Sequence, residues 1–136
     1  MKTVSVTASF IVGCFLSILL LSFSTLQDKP WNVPEAAQKA KNPTKDTPDN
    51  VNIGKNLYSK HCKSCHGKSG EGDGPKAAEL KTAPGDFTSA DFQAQSDGAL
   101  YYKTTDGRDD MPNFKKKIAS DEDRWLIIHY VRTLKQ

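Results

Sequence analysis

The sequence predicts an all-α domain of three to five short helices joined by long loops, preceded by an apolar N-terminal segment. The C-terminal residues carry apolar side chains at helical spacing, and Ser120 and Asp123 are placed ahead of them as a capping box. Four glycines between Gly67 and Gly74 mark an irregular loop, and no segment has the alternation that indicates a strand. The helical stripe consists of Ile127, Tyr130, Val131 and Leu134.

The composition of residues 1–26 predicts an export signal or an N-terminal membrane anchor. A single positive charge at Lys2 precedes an apolar run over about residues 8–26, which is long for the core of a signal peptide and short for a membrane span. Residues 22–24 (Ser-Phe-Ser) offer a small-x-small cleavage site, so cleavage and retention both stay open. In either case we expect the rest of the chain outside the cytoplasm, in the periplasm of a bacterium, because the flanking lysine stays inside.

Cys14 lies within this apolar run. The preceding Ile-Val-Gly resembles the lipobox of a bacterial lipoprotein, but residues 15–23 stay apolar, whereas a lipidated cysteine is usually followed by a polar tether. We therefore interpret Cys14 as a small apolar residue of the signal, with lipidation as the alternative.

Residues 27–50 have the composition of a proline-rich linker. They hold four of the seven prolines and few large apolar side chains beyond Trp31 and Val33. Because proline fixes φ and removes a donor, we expect this segment to be extended and stiff, apart from a short helix over residues 35–40. We interpret Trp31 as a packing anchor against the domain that follows, residues 51–136.

The domain opens with a predicted helix over about residues 52–61, capped by Asp49 or Asn50. Gly54 within it is less favourable than alanine by about 1 kcal/mol, which indicates close packing against another helix.

Two further helical segments precede the C-terminal helix. One turn is predicted at residues 76–80, and a longer helix runs from a cap at Ser96 through about residue 104 and ends at Gly107. A domain of about 85 residues with so few large apolar side chains would have a marginal core if it were built from protein alone.

Cys62-Lys63-Ser64-Cys65-His66 is the most informative motif in the chain. The pattern C-x-x-C-H is the attachment signature of c-type haem: each thiol can form a thioether to a haem vinyl group, and the adjacent histidine binds the iron. We therefore predict one covalent haem c on Cys62 and Cys65, with His66 as an axial ligand. The haem would also provide a large apolar disc around which short helices can pack.

Met111 is the candidate for the sixth iron position. It is the only methionine besides the initiator, and it lies about 45 residues beyond His66 in a polar, turn-like flank that gives it little core to fill. A thioether opposite histidine favours Fe(II) and raises the reduction potential. It also closes the iron to small molecules, which favours electron transfer over oxygen chemistry.

From about Val51 to Gln136 the chain resembles class I c-type cytochromes, the single-haem domains of bacterial respiratory chains. The resemblance rests on the attachment motif, on Gly54 and Tyr58 before it, on the glycine-rich residues 67–75, on Met111-Pro112 and on the C-terminal helix.

This resemblance implies a small cytochrome c fold in which the first and last helices cross where Gly54 lets Tyr130 pack closely. It also implies that a proline carbonyl, of Pro75 or else Pro84, orients the His66 ring. The candidate haem wall consists of Leu80, Phe87, Leu100, Phe114 and Trp125.

Other uses of these residues are less favoured. Zinc needs four ligands, and no second cysteine pair or His-x-His spacing follows the motif; a thioredoxin-like motif needs strands. We interpret His61 as a surface or capping residue, and His129 as a solvated residue off the apolar stripe, although it could in principle bind iron. The enzyme alternative is a haem peroxidase or gas-binding protein with a labile Met111.

The predicted function is single-electron transfer in an extracytoplasmic respiratory chain, with no catalytic residue and no small-molecule substrate. We expect redox proteins as partners, such as a quinol-oxidising complex or a terminal oxidase; a haem subunit fixed in a larger oxidoreductase is the alternative. Beyond Lys2, 18 Lys and Arg stand against 16 Asp and Glu, so nothing indicates a nucleic-acid partner. A basic ring near the haem edge would steer an acidic partner, although solvated lysines are the ordinary interpretation. The lysines concerned are Lys60, Lys63, Lys68, Lys115, Lys116 and Lys117.

Overall fold

The structure, a computed structural model, describes residues 30–136, of which residues 31–136 form one compact unit. Within this range the chain is helical, and its only β-type pairing is an isolated bridge between Arg108 and Met111. The all-α prediction is confirmed. The predicted signal or anchor, with Cys14 and the cleavage site, lies outside the described residues. In residues 30–136 no helix is long and apolar enough to cross a bilayer.

Six α-helices and one 3-10 turn follow one another in the described part of the chain. Those predicted at residues 35–40, 76–80 and 96–104 and at the C-terminus are confirmed, whereas the short helix that Ser89 caps was not predicted. The elements are α1 (Glu35–Lys39), α2 (Pro48–His61), α3 (Lys63–His66), the 3-10 turn (Ala77–Glu79), α4 (Ala90–Gln93), α5 (Asp97–Asp106) and α6 (Asp121–Arg132).

Helix α2 begins earlier than the sequence predicted. Its N-cap is Thr47, whose hydroxyl accepts from the Asn50 N–H at 3.3 Å, and Pro48 occupies the first turn. The predicted caps Asp49 and Asn50 are therefore wrong, since both lie inside the helix. Proline suits the first helical position because its fixed φ is already helical and the N–H it lacks would have no partner within the helix.

Residues 31–47, which we call the strap, pack on the domain instead of extending from it. A Cβ at Gly98 would lie 2.1 Å from the Ala37 carbonyl oxygen, so α1 and α5 meet almost backbone to backbone. The Ser96 hydroxyl donates to the Gln38 carbonyl at 2.6 Å, and the Asn42 amide donates to the Trp125 carbonyl at 3.2 Å. The compact unit thus begins at Trp31, whereas the sequence placed the domain boundary at residue 51.

His129 is buried, and the prediction that it is solvated was wrong. Only 8% of it is exposed, and its Nε2 lies 2.8 Å from the Thr44 hydroxyl of the strap. A neighbour 85 positions away in the chain covers this face of α6, which the periodicity of α6 alone does not reveal.

The two longest helices, α2 and α6, cross at Gly54. A Cβ at this position would lie 2.1 Å from the Leu126 carbonyl oxygen and 3.2 Å from the Tyr130 Cβ. The crossing of Gly54 and Tyr130 that the resemblance implied is therefore confirmed. Beside it lies the main apolar cluster, which consists of Tyr58, Phe114, Ile118, Ile127 and Val131.

We expect Gly54→Ala to destabilise the holoprotein by about 1–3 kcal/mol, because the new methyl group meets backbone that cannot move aside. Denaturant unfolding would measure this change. Lys55→Ala, an exposed neighbour on the same helix, is the control and should stay within about 0.5 kcal/mol of wild type. Equal stability of Gly54→Ala and wild type would contradict the close crossing.

Candidate haem site

The two motif cysteines are held by a single helical turn. Cys62 ends α2 and precedes α3, and its carbonyl accepts from the N–H groups of Cys65 and His66 at 3.1 and 3.0 Å. Both thiols are free and half-buried. This turn fixes the backbone that carries Cys62, Cys65 and His66 and leaves both sulfurs available for thioether formation.

The glycine-rich loop after the motif folds back onto α3. The N–H groups of Gly72, Gly74 and Lys76 donate at 2.9–3.1 Å to the carbonyls of residues 66, 65 and 64, respectively. A Cβ at Gly74 would lie 2.5 Å from the Ser64 carbonyl oxygen, so only glycine permits this approach. The loop therefore satisfies the terminal carbonyls of α3 and fixes the motif from behind.

Tyr58 fastens the same loop from the core. It is 1% exposed, and its hydroxyl donates to the Gly67 carbonyl at 2.8 Å. Burial, above all, raises the pKa of Tyr58, so the hydroxyl stays protonated and remains a donor. Its ring also packs against Tyr130, with 5.1 Å between the ring centroids.

The His66 ring lies in a stack of aromatic rings. It stacks on Phe87 with 4.3 Å between centroids, and Phe87 stacks on Phe92 at 4.4 Å. Burial lowers the pKa of His66 to about 4, an effect that the Pro84 carbonyl opposes. The ring is therefore neutral at physiological pH, which is the form that binds iron.

Pro84, and not Pro75, is the proline near this ring. The His66 Nδ1 is buried without a hydrogen bond of regular geometry, and the carbonyl that acts on its pKa is that of Pro84. Pro75 is exposed in the loop. Of the two candidate prolines, the structure favours Pro84 as the residue that orients the imidazole.

Met111 ends a tight turn. Arg108 and Met111 exchange backbone hydrogen bonds of 2.9 and 2.8 Å, and Asp109 at the tip has φ +52°. The Asp110 carboxylate accepts from the Lys81 N–H at 2.7 Å, which ties this turn to the segment that follows the 3-10 turn. Met111 is half-buried, and its backbone is fixed on both sides.

The structure brings several of the predicted site residues to one apolar region. Cys62, Phe87 and Met111 all pack against the main cluster, of which Phe114 is a member, and His66 stacks on Phe87. With Cys65 from the motif turn, this set offers two free thiols, a neutral imidazole and a thioether, which is the donor set that fits a covalent haem. Among residues 30–136 no group of three or more His, Cys, Asp or Glu could hold a metal ion by itself.

Three other predicted wall residues, Leu80, Leu100 and Trp125, are not members of the main cluster. Leu100 and Trp125 belong to a second cluster with Ile128, and Trp125 stacks on Tyr101 at 3.9 Å. Leu80 is half-buried beside the 3-10 turn. Sequence reasoning missed Phe92, which packs against both clusters. The signal available for it was the Ser89 cap, whose hydroxyl accepts from the Phe92 N–H.

Comparisons with known proteins identify the family of the chain. A family model described as cytochrome c oxidase, cbb3-type, subunit III matches residues 49–131. The chain is similar to a chain of the Kuenenia stuttgartiensis reducing HAO-like protein complex Kustc0457/Kustc0458, with 32% identity, a TM-score of 0.64 and coverage of 81% of this chain and 53% of that one. It therefore spans about half the length of that relative.

A second solved structure, the KustC0563 c-type cytochrome, is 30% identical with a TM-score of 0.54. The similarity covers 61% of this chain and 98% of that one. None of the curated proteins matches the chain.

We expect Tyr58→Phe to destabilise the protein by about 1–2 kcal/mol, because it leaves the buried Gly67 carbonyl without its donor. Tyr130→Phe, which removes the hydroxyl of the neighbouring ring, is the matched control. Thermal or denaturant unfolding of the holoprotein would compare the two. The role assigned to Tyr58 would be wrong if both variants lost the same small amount of stability.

Proposed function

Because the chain belongs to the family of the cbb3-type cytochrome c oxidase subunit III domain, we propose that it carries one haem c on Cys62 and Cys65, with His66 and Met111 as axial ligands. Haem-based electron transfer is the function that the family and its relatives support. The observation that carries the ligand assignment is the packing of Cys62, Phe87 and Met111 against one apolar cluster beside the neutral His66 ring.

Each residue of the site has a separate task. The haem, when bound, supplies an iron that takes up and releases one electron. His66 offers a neutral nitrogen because burial keeps its ring unprotonated, and Phe87 holds one face of that ring. Met111 offers a thioether that favours Fe(II). Phe114, which is buried in the adjoining cluster, helps to exclude water.

We propose that the domain works outside the cytoplasm, in the periplasm of a bacterium, with residues 1–26 as an export signal or anchor. Its partners are redox proteins, such as a quinol-oxidising complex or a terminal oxidase. A haem subunit fixed within a larger oxidoreductase is the second candidate, because the first structural relative is a chain of a protein complex. The peroxidase alternative needs the Met111 side chain to leave the iron.

A basic patch beside the motif fits an acidic redox partner. It consists of Lys60, His61 and Lys115–Lys117. Burial, then the charges of Lys60 and Lys117, lower the pKa of His61, so these three groups lie close together. His61 and Lys117 both contact the ring of Phe114, at 6.2 and 5.8 Å, which places the patch at the edge of the main cluster.

We expect Met111→Ala to lower the reduction potential by more than about 0.1 V, within the roughly 0.8 V that axial ligands span, because a sulfur ligand that favours Fe(II) is lost. The variant should also bind added imidazole while keeping covalent haem. Redox titration would measure the potential. His129→Gln is the control and should leave it unchanged, since His129 bonds to Thr44. An unaltered potential in Met111→Ala would remove Met111 from the site.

We expect electron transfer with ferricyanide, an anionic reagent, to slow as ionic strength rises, because the basic patch attracts it less when charges are screened. Changing Lys115, Lys116 and Lys117 together to glutamine, which removes their charges, should lower the rate and reduce its salt dependence. Lys39→Glu, on the exposed side of the strap, should leave the salt slope almost unchanged. Stopped-flow mixing would measure these rates, and a wild-type rate indifferent to salt would contradict steering.

A further inference from the structure

Trp31, at the start of the strap, lies beneath two cations. The Arg108 guanidinium carbon is 4.5 Å from the centroid of the indole ring, and the Lys103 ammonium nitrogen is 5.6 Å from it. Both distances are within the range of cation–π attraction, for which tryptophan is the best aromatic partner.

The two residues that carry these cations also supply backbone groups close to Met111. Arg108 is the residue that exchanges both backbone hydrogen bonds with Met111. The Lys103 carbonyl accepts a hydrogen bond from the Gly107 N–H at the C-terminal end of α5, directly before the turn. A Cβ at Gly107 would lie 2.5 Å from the Met111 carbonyl oxygen, so the end of α5 and the Met111 turn touch through backbone.

The two cations lie over the same indole ring, and the Asp109 carboxylate also lies 3.3 Å from the Arg108 Nε. Burial, then the nearby charge of Arg108, lower the pKa of Lys103, which means that the two like charges are close and partly withdrawn from water. Lys103 also donates to the Gln95 side chain. Without the negative face of the ring, we expect the repulsion to separate Lys103 from Arg108 and to move the turn that Arg108 shares with Met111.

The strap holds Trp31 in place independently of this contact. Val33, two residues on, is buried, and its carbonyl accepts from the Gln38 amide at 2.8 Å. Helix α1 then packs backbone to backbone on α5 at Gly98. The indole is therefore carried by a segment that is anchored elsewhere on the domain.

We propose that Trp31 is a positioning residue for the axial methionine: by stacking beneath Arg108 and Lys103, it holds the Met111 turn in the conformation that keeps sulfur on the iron. This inference rests on the proposed ligation by Met111. Trp31 does not touch the ligand; it acts through the bonded pair Arg108 and Met111. The strength of the Met111–iron bond should therefore depend on a residue 80 positions earlier in the chain.

The test measures how easily an added ligand displaces Met111 in the oxidised holoprotein. Imidazole is titrated into wild type, Trp31→Ala and Trp31→Phe while the weak sulfur-to-iron charge-transfer absorption is followed. A cation–π contact of this kind predicts that imidazole binds about 2- to 30-fold more tightly to Trp31→Ala. Trp31→Phe, which keeps a weaker aromatic face, should lie between this variant and wild type.

Three further variants complete the design. Arg108→Gln removes the cation from the other side of the contact, should raise imidazole affinity as well, and serves if Trp31→Ala fails to fold. In the double variant, the increase in imidazole binding free energy should be smaller than the sum of the two single increases, because the two residues are coupled. Lys39→Ala, an exposed strap residue, should match wild type.

The outcomes separate this inference from the ligation on which it rests. If Met111→Ala abolishes the charge-transfer absorption but Trp31→Ala and Arg108→Gln bind imidazole as wild type does, the positioning role is overturned and the ligation stands. If Met111→Ala leaves the absorption unchanged, the ligation is overturned and the positioning role with it.

Discussion

The close crossing of α2 and α6 at Gly54 positions the rest of the site. Since this residue has no side chain, the Leu126 carbonyl approaches the α2 backbone closely. One turn further along α2, Tyr58 reaches the Gly67 carbonyl, and one more turn ends at Cys62. A single rigid helix thus sets the positions of the first thiol and of the loop behind the motif. A side chain at the crossing would shift both together.

The site combines neutral groups inside with charges outside. Burial keeps His66 unprotonated and Tyr58 protonated, so neither ring brings a charge into the apolar region. The lysines of the basic patch stay exposed, and Lys117 lies over the ring of Phe114, a buried member of the main cluster. A dry interior favours a single, well-defined ligand geometry, while the surface charge serves recognition without burial of ions.

Most features that depend on near neighbours were predictable, although the Thr47 cap of α2 and the short helix at Ser89 were not. Contacts between distant parts of the chain were harder to predict. The caps at Ser96 and Ser120 and the turn of the motif each involve residues within five positions of one another. The strap was expected to be extended because four prolines stiffen residues 27–50, but stiffness does not decide whether a segment docks on the domain. His129 was expected in solvent because it lies off the apolar stripe of α6. Its partner Thr44 lies 85 positions earlier, so the pattern of α6 does not reveal the contact. The resemblance placed Trp125 in the haem wall, but it packs in the second cluster with Leu100 and Ile128.

The central claim is that one haem is bound covalently through Cys62 and Cys65, and intact mass spectrometry after extraction with acidified organic solvent tests it most directly. The account predicts that the extracted, denatured polypeptide keeps the added mass of one haem. It also predicts that the double variant Cys62→Ala, Cys65→Ala loses that mass completely. Recovery of a wild-type polypeptide without this added mass, with free pigment in the solvent, would contradict the account.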